Sequence, residues 1–165
     1  MDNDEGRQGS PSVKGTLQYF EDFSEAARYD YTVDGVSVEE IKEFARRYDP
    51  QRFHLDEDEA ERTHFGQLVA SGFQTQLLCF KGFCDLVLQR AAAIGAPGID
   101  TIQWKRPWYP DQKLNVSVSL LNKRLSTKKP DRGYIRFRLV ACADINEIFI
   151  MEWAAIMLTK SAVGR

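Results

Sequence analysis

An aspartate and a histidine, Asp49 and His54, lie five residues apart on either side of Pro50-Gln51-Arg52-Phe53. An imidazole exchanges protons near neutral pH, and a carboxylate beside it completes an acid/base pair able to hold and activate a water. The spacing is too short for two full helical turns, so a turn through Pro50 and Gln51 must bring the side chains together. Taken alone, each residue has a plainer reading: aspartate before proline is a common turn former, and a lone histidine is commonly a hydrogen-bonded structural residue. Downstream, Ala70-Ser71-Gly72 forms a small-residue turn into the most apolar segment of the chain. No Gly-x-Ser-x-Gly elbow surrounds Ser71, which reads as a helix cap rather than a nucleophile.

The elements on either side must position these groups. From Ser37, the sequence SVEEIKEFARRYD carries a capping box with Glu40 and places Ile41, Phe44, Ala45 and Tyr48 at helical spacing. Pro50 disfavours helix for the residue before it, so this helix stops at Asp49. There the negative end of the helix dipole opposes the carboxylate and makes it a plausible base. The acidic run from Leu55 to Phe65 predicts a short exposed helix; its carboxylates lack a metal-ligand pattern, and His64 reads as structural. Phe65-Gly66 turns the chain towards Leu68. The segment Ser71 to Ile94 predicts one long helix, with Lys81, Asp85 and Gln89 on its polar face and a stop at Gly95 and Pro97. Its charges argue against a membrane span.

Strands are predicted at Arg28 to Val33, Ile99 to Lys105, Lys113 to Leu125, Tyr134 to Cys142 and Ile148 to Thr159, and the aromatic segment Leu17 to Phe23 packs on the body. Leu114, Val116, Val118 and Leu120 alternate with Asn115, Ser117 and Ser119, the period of a half-buried strand. One apolar helix followed by successive antiparallel strands gives an α+β domain in which a curved sheet wraps a helix.

Asp49-Pro50-Gln51-Arg52-Phe53-His54 resembles the D-x-N-P-[LI]-H signature of the MaoC-like dehydratases, a hotdog-fold family that includes (R)-specific enoyl-CoA hydratases. The likeness extends through Leu68 to Gly72 and covers residues 17 to 160. It departs from the signature where Gln51 replaces asparagine and Arg52 replaces proline; Gln51 keeps an amide but reaches one methylene further. The resemblance implies a hotdog fold and a hydro-lyase of fatty acid metabolism that adds water reversibly to a trans-2-enoyl thioester. It places Asp49 and His54 on the two catalytic positions. Gly72 falls where the family uses a backbone amide as an oxyanion donor, with Ser71 and Gln51 beside it as substrate-binding residues. A glycine amide at a helix N-terminus suits that role, although close packing of helix against sheet explains Gly72 equally well. The implied substrate is an acyl-CoA or acyl-carrier-protein thioester, with no cofactor and no metal. A homodimer is expected, because a single sheet leaves an edge and a face needing cover. Two alternatives are a hotdog acyl-CoA thioesterase and a noncatalytic acyl-binding or assembly subunit.

The chain has 165 residues, which suits one domain: a flexible tail at 1–16, the hotdog domain at 17–160 and a short tail at 161–165. A formal net charge of -2 gives no reason to expect nucleic-acid binding, and no membrane association is expected either. The first residues contain acids and no apolar stretch, unlike a secretory or transit leader. Cys79, Cys84 and Cys142 lack zinc-site spacing and read as buried thiols of a reducing compartment, so a cytoplasmic protein is expected. Lys123, Arg124, Lys128, Lys129 and Arg132 surround one turn, either an ordinary solvated turn or a receiver of phosphate or carrier-protein charge. Trp104, Trp108 and Trp153 either line an acyl tunnel or pack in the core or a dimer interface.

Overall fold

Alternating apolar and polar residues in the second half of the chain become three strands of twelve or thirteen residues, β3 (Leu114–Leu125), β4 (Arg132–Ala143) and β5 (Asn146–Leu158). The computed structural model describes residues 16–164, so the expected tail through Gly15 lies outside the described residues. With β1 (Arg28–Val33) and β2 (Ala93–Trp104), the strands form one antiparallel sheet in the order β1-β3-β4-β5-β2. Helices α1 (Val38–Tyr48), α2 (Arg52–Leu55), α3 (Glu57–Glu61) and α4 (Gly72–Leu86) lie between β1 and β2 in the chain. This is the α+β arrangement that the pattern of elements implies. A final 3-10 stretch runs from Lys160 to Gly164.

The core forms where α4 meets the sheet. Leu114, Val116, Val118 and Leu120 all point inward, as their period demands. Phe83 of α4 meets Phe137 and Trp153 of the sheet at ring-centroid distances of 5.1 and 5.4 Å. Burial of each such ring contributes about 2–3 kcal/mol. Phe20 and Phe23 of the leading aromatic segment are also buried, and the Lys123 ammonium donates to their carbonyl oxygens at 3.2 and 2.6 Å. Arg124 stacks over Tyr134 and Arg132 pairs with Asp131. Three of the five basic residues around the β3–β4 turn therefore serve the fold, which favours the solvated-turn reading of that cluster.

The central helix is shorter than its sequence suggests. It ends at Leu86, and the alanine run that follows turns into strand: the Ala92 N–H donates to the Gln18 carbonyl, and Ala93 pairs with Met157. Alanine favours helix, but pairing with β5 offers the backbone a full ladder and overrides that preference. Gly95 and Pro97 thus lie within β2, where the register shifts around Gly95 and Gly98 and Gly95 takes φ +139°, a bulge conformation suited to glycine. Nor does the sheet cover all the apolar residues of α4. Phe73 and Leu77 are each 55% exposed, on the helix face turned away from Thr75, Cys79 and Phe83. Cys79 is buried, which pushes its thiol up to about 12, whereas Cys84 and Cys142 are only half-buried.

Candidate active site

The capping box forms as read: the Ser37 hydroxyl accepts the Glu40 N–H, and the Glu40 carboxylate accepts the Ser37 N–H. At the other end Asp49 is the C-cap, its N–H donating to the Ala45 carbonyl at 3.0 Å. The chain then folds back tightly. The Gln51 N–H donates to the Asp49 carbonyl at 2.7 Å, and the single turn α2 begins, carrying His54 inward on its buried side. The Asp56 side chain caps α3, so the acidic run stays on the outside with only Ala60 buried. Gly66, at φ +71°, then leads the chain into the buried Leu68–Ala70 segment.

Asp49 and His54 meet. The Asp49 Oδ2 lies 3.4 Å from the His54 Nε2, although no helix joins them. The other ring nitrogen, Nδ1, lies 2.7 Å from the Val69 carbonyl oxygen. A carbonyl only accepts, so Nδ1 carries a proton; in the uncharged ring the Nε2 lone pair then faces Asp49. Asp49 is acceptor-only when ionised. Burial pushes its pKa up, but hydrogen bonds from Ser71 and Gln51, together with His54 when its ring is charged, outweigh that and leave it below the ordinary carboxylate range. Asp49 thus sits at the C-terminal end of α1 as expected, with its carboxylate held by donors from neighbouring elements. Two acceptors side by side form a seat for a molecule with two protons to donate, which a water has.

Ser71 is fully buried. Its hydroxyl accepts the Phe73 N–H, capping α4, and donates to the Asp49 Oδ2 at 2.6 Å. The cap is as expected, but the residue lies beneath Asp49 and off the cleft wall; it supports the carboxylate rather than touching a substrate. Gly72 opens α4, so its N–H has no carbonyl of its own helix to bond, and the residue lines the cleft. It also packs closely: a Cβ built on Gly72 would lie 2.6 Å from the indole nitrogen of Trp104, which donates to the Gly72 carbonyl at 2.8 Å.

These groups open onto a cleft of about 640 Å³, lined by Asp49, Gln51, His54 and Gly72 and walled by aromatic side chains, among them Phe53 and Phe65. Trp104 and Trp108 belong to that wall. Trp153 lies in the core against Phe137 instead. Lys105 and Arg106 also line the cleft, and His64 belongs to its rim rather than serving structure alone. Sequence reasoning missed the Val69 carbonyl, because a backbone acceptor has no residue-type signature. It missed the Trp104–Gly72 contact because the two lie far apart in the chain.

No family model matches the sequence. The chain is 29% identical over 125 residues to the uncharacterized protein YdeM of Bacillus subtilis (strain 168), a match spanning 76% of this chain and 86% of that protein. Its structure superimposes on that of a MaoC-like dehydratase from Rhodospirillum rubrum with a TM-score of 0.77 and 27% identity, covering 87% of this chain and 98% of the other. The unliganded (R)-hydratase PhaJ1 from Pseudomonas aeruginosa gives a TM-score of 0.64 at 20% identity, covering 86% and 85%. An antiparallel sheet packed on one central helix, shared with these neighbours, makes the chain a hotdog-fold protein similar to the MaoC-like dehydratases and (R)-hydratases.

Proposed function

We propose that the protein is a hydro-lyase that adds water reversibly to a trans-2-enoyl thioester, giving an (R)-3-hydroxyacyl thioester. The observation that carries this reading is the convergence of the Asp49 Oδ2 and the His54 Nε2, 3.4 Å apart, on the floor of an aromatic cleft. A water seated there donates to both. As its oxygen bonds to C3, the His54 Nε2 takes one of its protons, and the neighbouring Asp49 carboxylate stabilises the imidazolium. The thioester oxygen gains charge as the C2–C3 double bond opens, and the Gly72 N–H at the positive end of α4 receives it. Imidazolium then returns a proton to C2, so the sum is one water added and neither side chain changed. The substrate is a CoA or carrier-protein thioester, and the setting is cytoplasmic.

Incubation of purified protein with crotonyl-CoA, followed by separation of hydrated from hydrolysed products, tests the reading. Formation of 3-hydroxybutyryl-CoA supports it. Free acid as the sole product means a thioesterase, and no turnover at any chain length means a binding or assembly subunit.

The same reading includes a homodimer. The exposed Phe73 and Leu77 of α4 and the exposed Ile94, Ile99 and Trp104 of β2 are apolar residues in need of cover, and β2 is an edge strand. Wild type is expected to sediment as a dimer at micromolar concentration and Leu77→Glu as a monomer. A monomeric wild type would remove the dimer from the proposal.

A further inference from the structure

We propose that Gln51 is a positioning residue that clamps the Asp49 carboxylate through Oδ1, so that Oδ2 alone faces the water seat; the proposal rests on the hydratase reading of the site. The Gln51 Nε2 donates to the Asp49 Oδ1 at 2.8 Å, while the Ser71 hydroxyl and the His54 Nε2 both meet Oδ2, at 2.6 and 3.4 Å. The two oxygens are thereby given different tasks. An aspartate carboxylate turns easily about its last bond. Rotation here breaks a hydrogen bond on each side, so donors from two separate elements hold the plane.

The backbone of Gln51 ties it to both members of the pair. Its N–H donates to the Asp49 carbonyl at 2.7 Å, and its carbonyl accepts the His54 N–H at 3.0 Å. Gln51 is also the N-cap of α2, yet its side chain makes no capping bond. Short side chains such as asparagine, aspartate, serine and threonine are the ones that reach back to the N–H groups of their own helix. The extra methylene of glutamine carries the amide past that position to Asp49. The side chain thus leaves α2 uncapped and supports the carboxylate instead.

A donor at Oδ1 favours the ionised form of Asp49, the form that accepts the water's hydrogen bond and stabilises the imidazolium. The charged and titratable groups around that carboxylate are His54 and Arg52 on α2, Arg46 and Arg47 on the last turn of α1, and His64, Lys105, Arg106 and Tyr109 along the cleft. Activity requires ionised Asp49 and is lost as pH falls through its native pKa. Removing a donor raises that pKa, so the acid limb of the pH profile must move upward.

The test compares wild type with Gln51→Leu, which keeps the bulk and loses the donor, and with Gln51→Asn, which is too short to reach Oδ1 and suited to cap α2. Both variants are expected to lose about tenfold in kcat on crotonyl-CoA, with a smaller change in KM and an acid limb shifted upward. Gln51→Asn is expected to melt no lower than wild type. A structural role alone predicts the opposite pairing, with melting temperature falling and the pH profile unmoved. A second measurement stands apart from turnover: carbon-detected NMR titration of the Asp49 carboxyl carbon, assigned by its loss in Asp49→Asn. An upward shift of this titration in Gln51→Leu supports the clamp, and an unchanged one overturns it, even if wild type proves inactive and the hydratase reading fails by itself. Wild-type kcat and pH profile in both variants would likewise overturn the clamp.

Discussion

Asp49→Asn and His54→Ala are each expected to lower crotonyl-CoA hydration by at least about a hundredfold, the lower range for loss of a general acid or base. The geometry makes the two losses equivalent in kind. Asparagine at position 49 presents at most one acceptor to the Ser71 and Gln51 donors and the water seat, and one of its positions becomes an N–H facing a donor. Alanine at position 54 removes the Nε2 lone pair and leaves the Val69 carbonyl without its buried donor. Because both groups hold one water in one transition state, the double variant is expected to lose little more than either single one. Thermal melting belongs beside the kinetics: His54 is 4% exposed, and its truncation costs about 1–3 kcal/mol for the unpaired carbonyl alone. A hydrating wild type whose single variants both keep the full rate would show that the chemistry lies elsewhere in the cleft.

The second large effect concerns the Gly72 amide, and Trp104 makes it separable from packing. Gly72→Ala alone places a methyl group 2.6 Å from the indole nitrogen, an overpacking expected to cost about 1–3 kcal/mol. Truncating the indole as Trp104→Ala relieves that clash, so Gly72→Ala/Trp104→Ala is expected to melt close to Trp104→Ala. In that relieved background Gly72→Pro differs from Gly72→Ala chiefly in lacking the N–H. Proline is well tolerated at the first position of a helix, and Ser71, at φ −58° and ψ 140°, already has the extended conformation it requires. If the N–H receives the thioester oxygen, the proline variant loses a further 100- to 1,000-fold in kcat, the usual cost of one oxyanion donor. Equal rates for the two double variants would leave Gly72 as a packing residue only.

What could be read from the sequence follows the range over which each signal acts. The capping box at Ser37, the stop at Asp49 and the strand period of Leu114 to Leu120 are local, and all three stand in the structure. The Asp49–His54 pair was legible because both members lie within one turn of chain. The alanine run after Leu86 misled because its own preference is helical, while the partner that overrides it, β5, lies more than fifty residues on. Gly72 carried two readings that no local pattern could separate, since its packing partner Trp104 arrives from the far end of β2. The ionisation of Asp49 depends on Ser71, which sequence reasoning had assigned to capping α4 and to binding substrate.

The two edges of the sheet differ in a way that bears on how copies of the chain can grow together. β1 is six residues long and carries the Arg28–Asp30 ion pair, whereas β2 runs for twelve and is irregular through its first half. Joining the β2 of one copy to the β1 of the next would repeat without end and build a fibre, but a six-residue edge matches only half of β2, and Pro97 offers no N–H to such a ladder. Of the two edges, only another β2 matches the full twelve residues. In the proposed homodimer such a pairing would use up both long edges at once and stop assembly along this sheet at two.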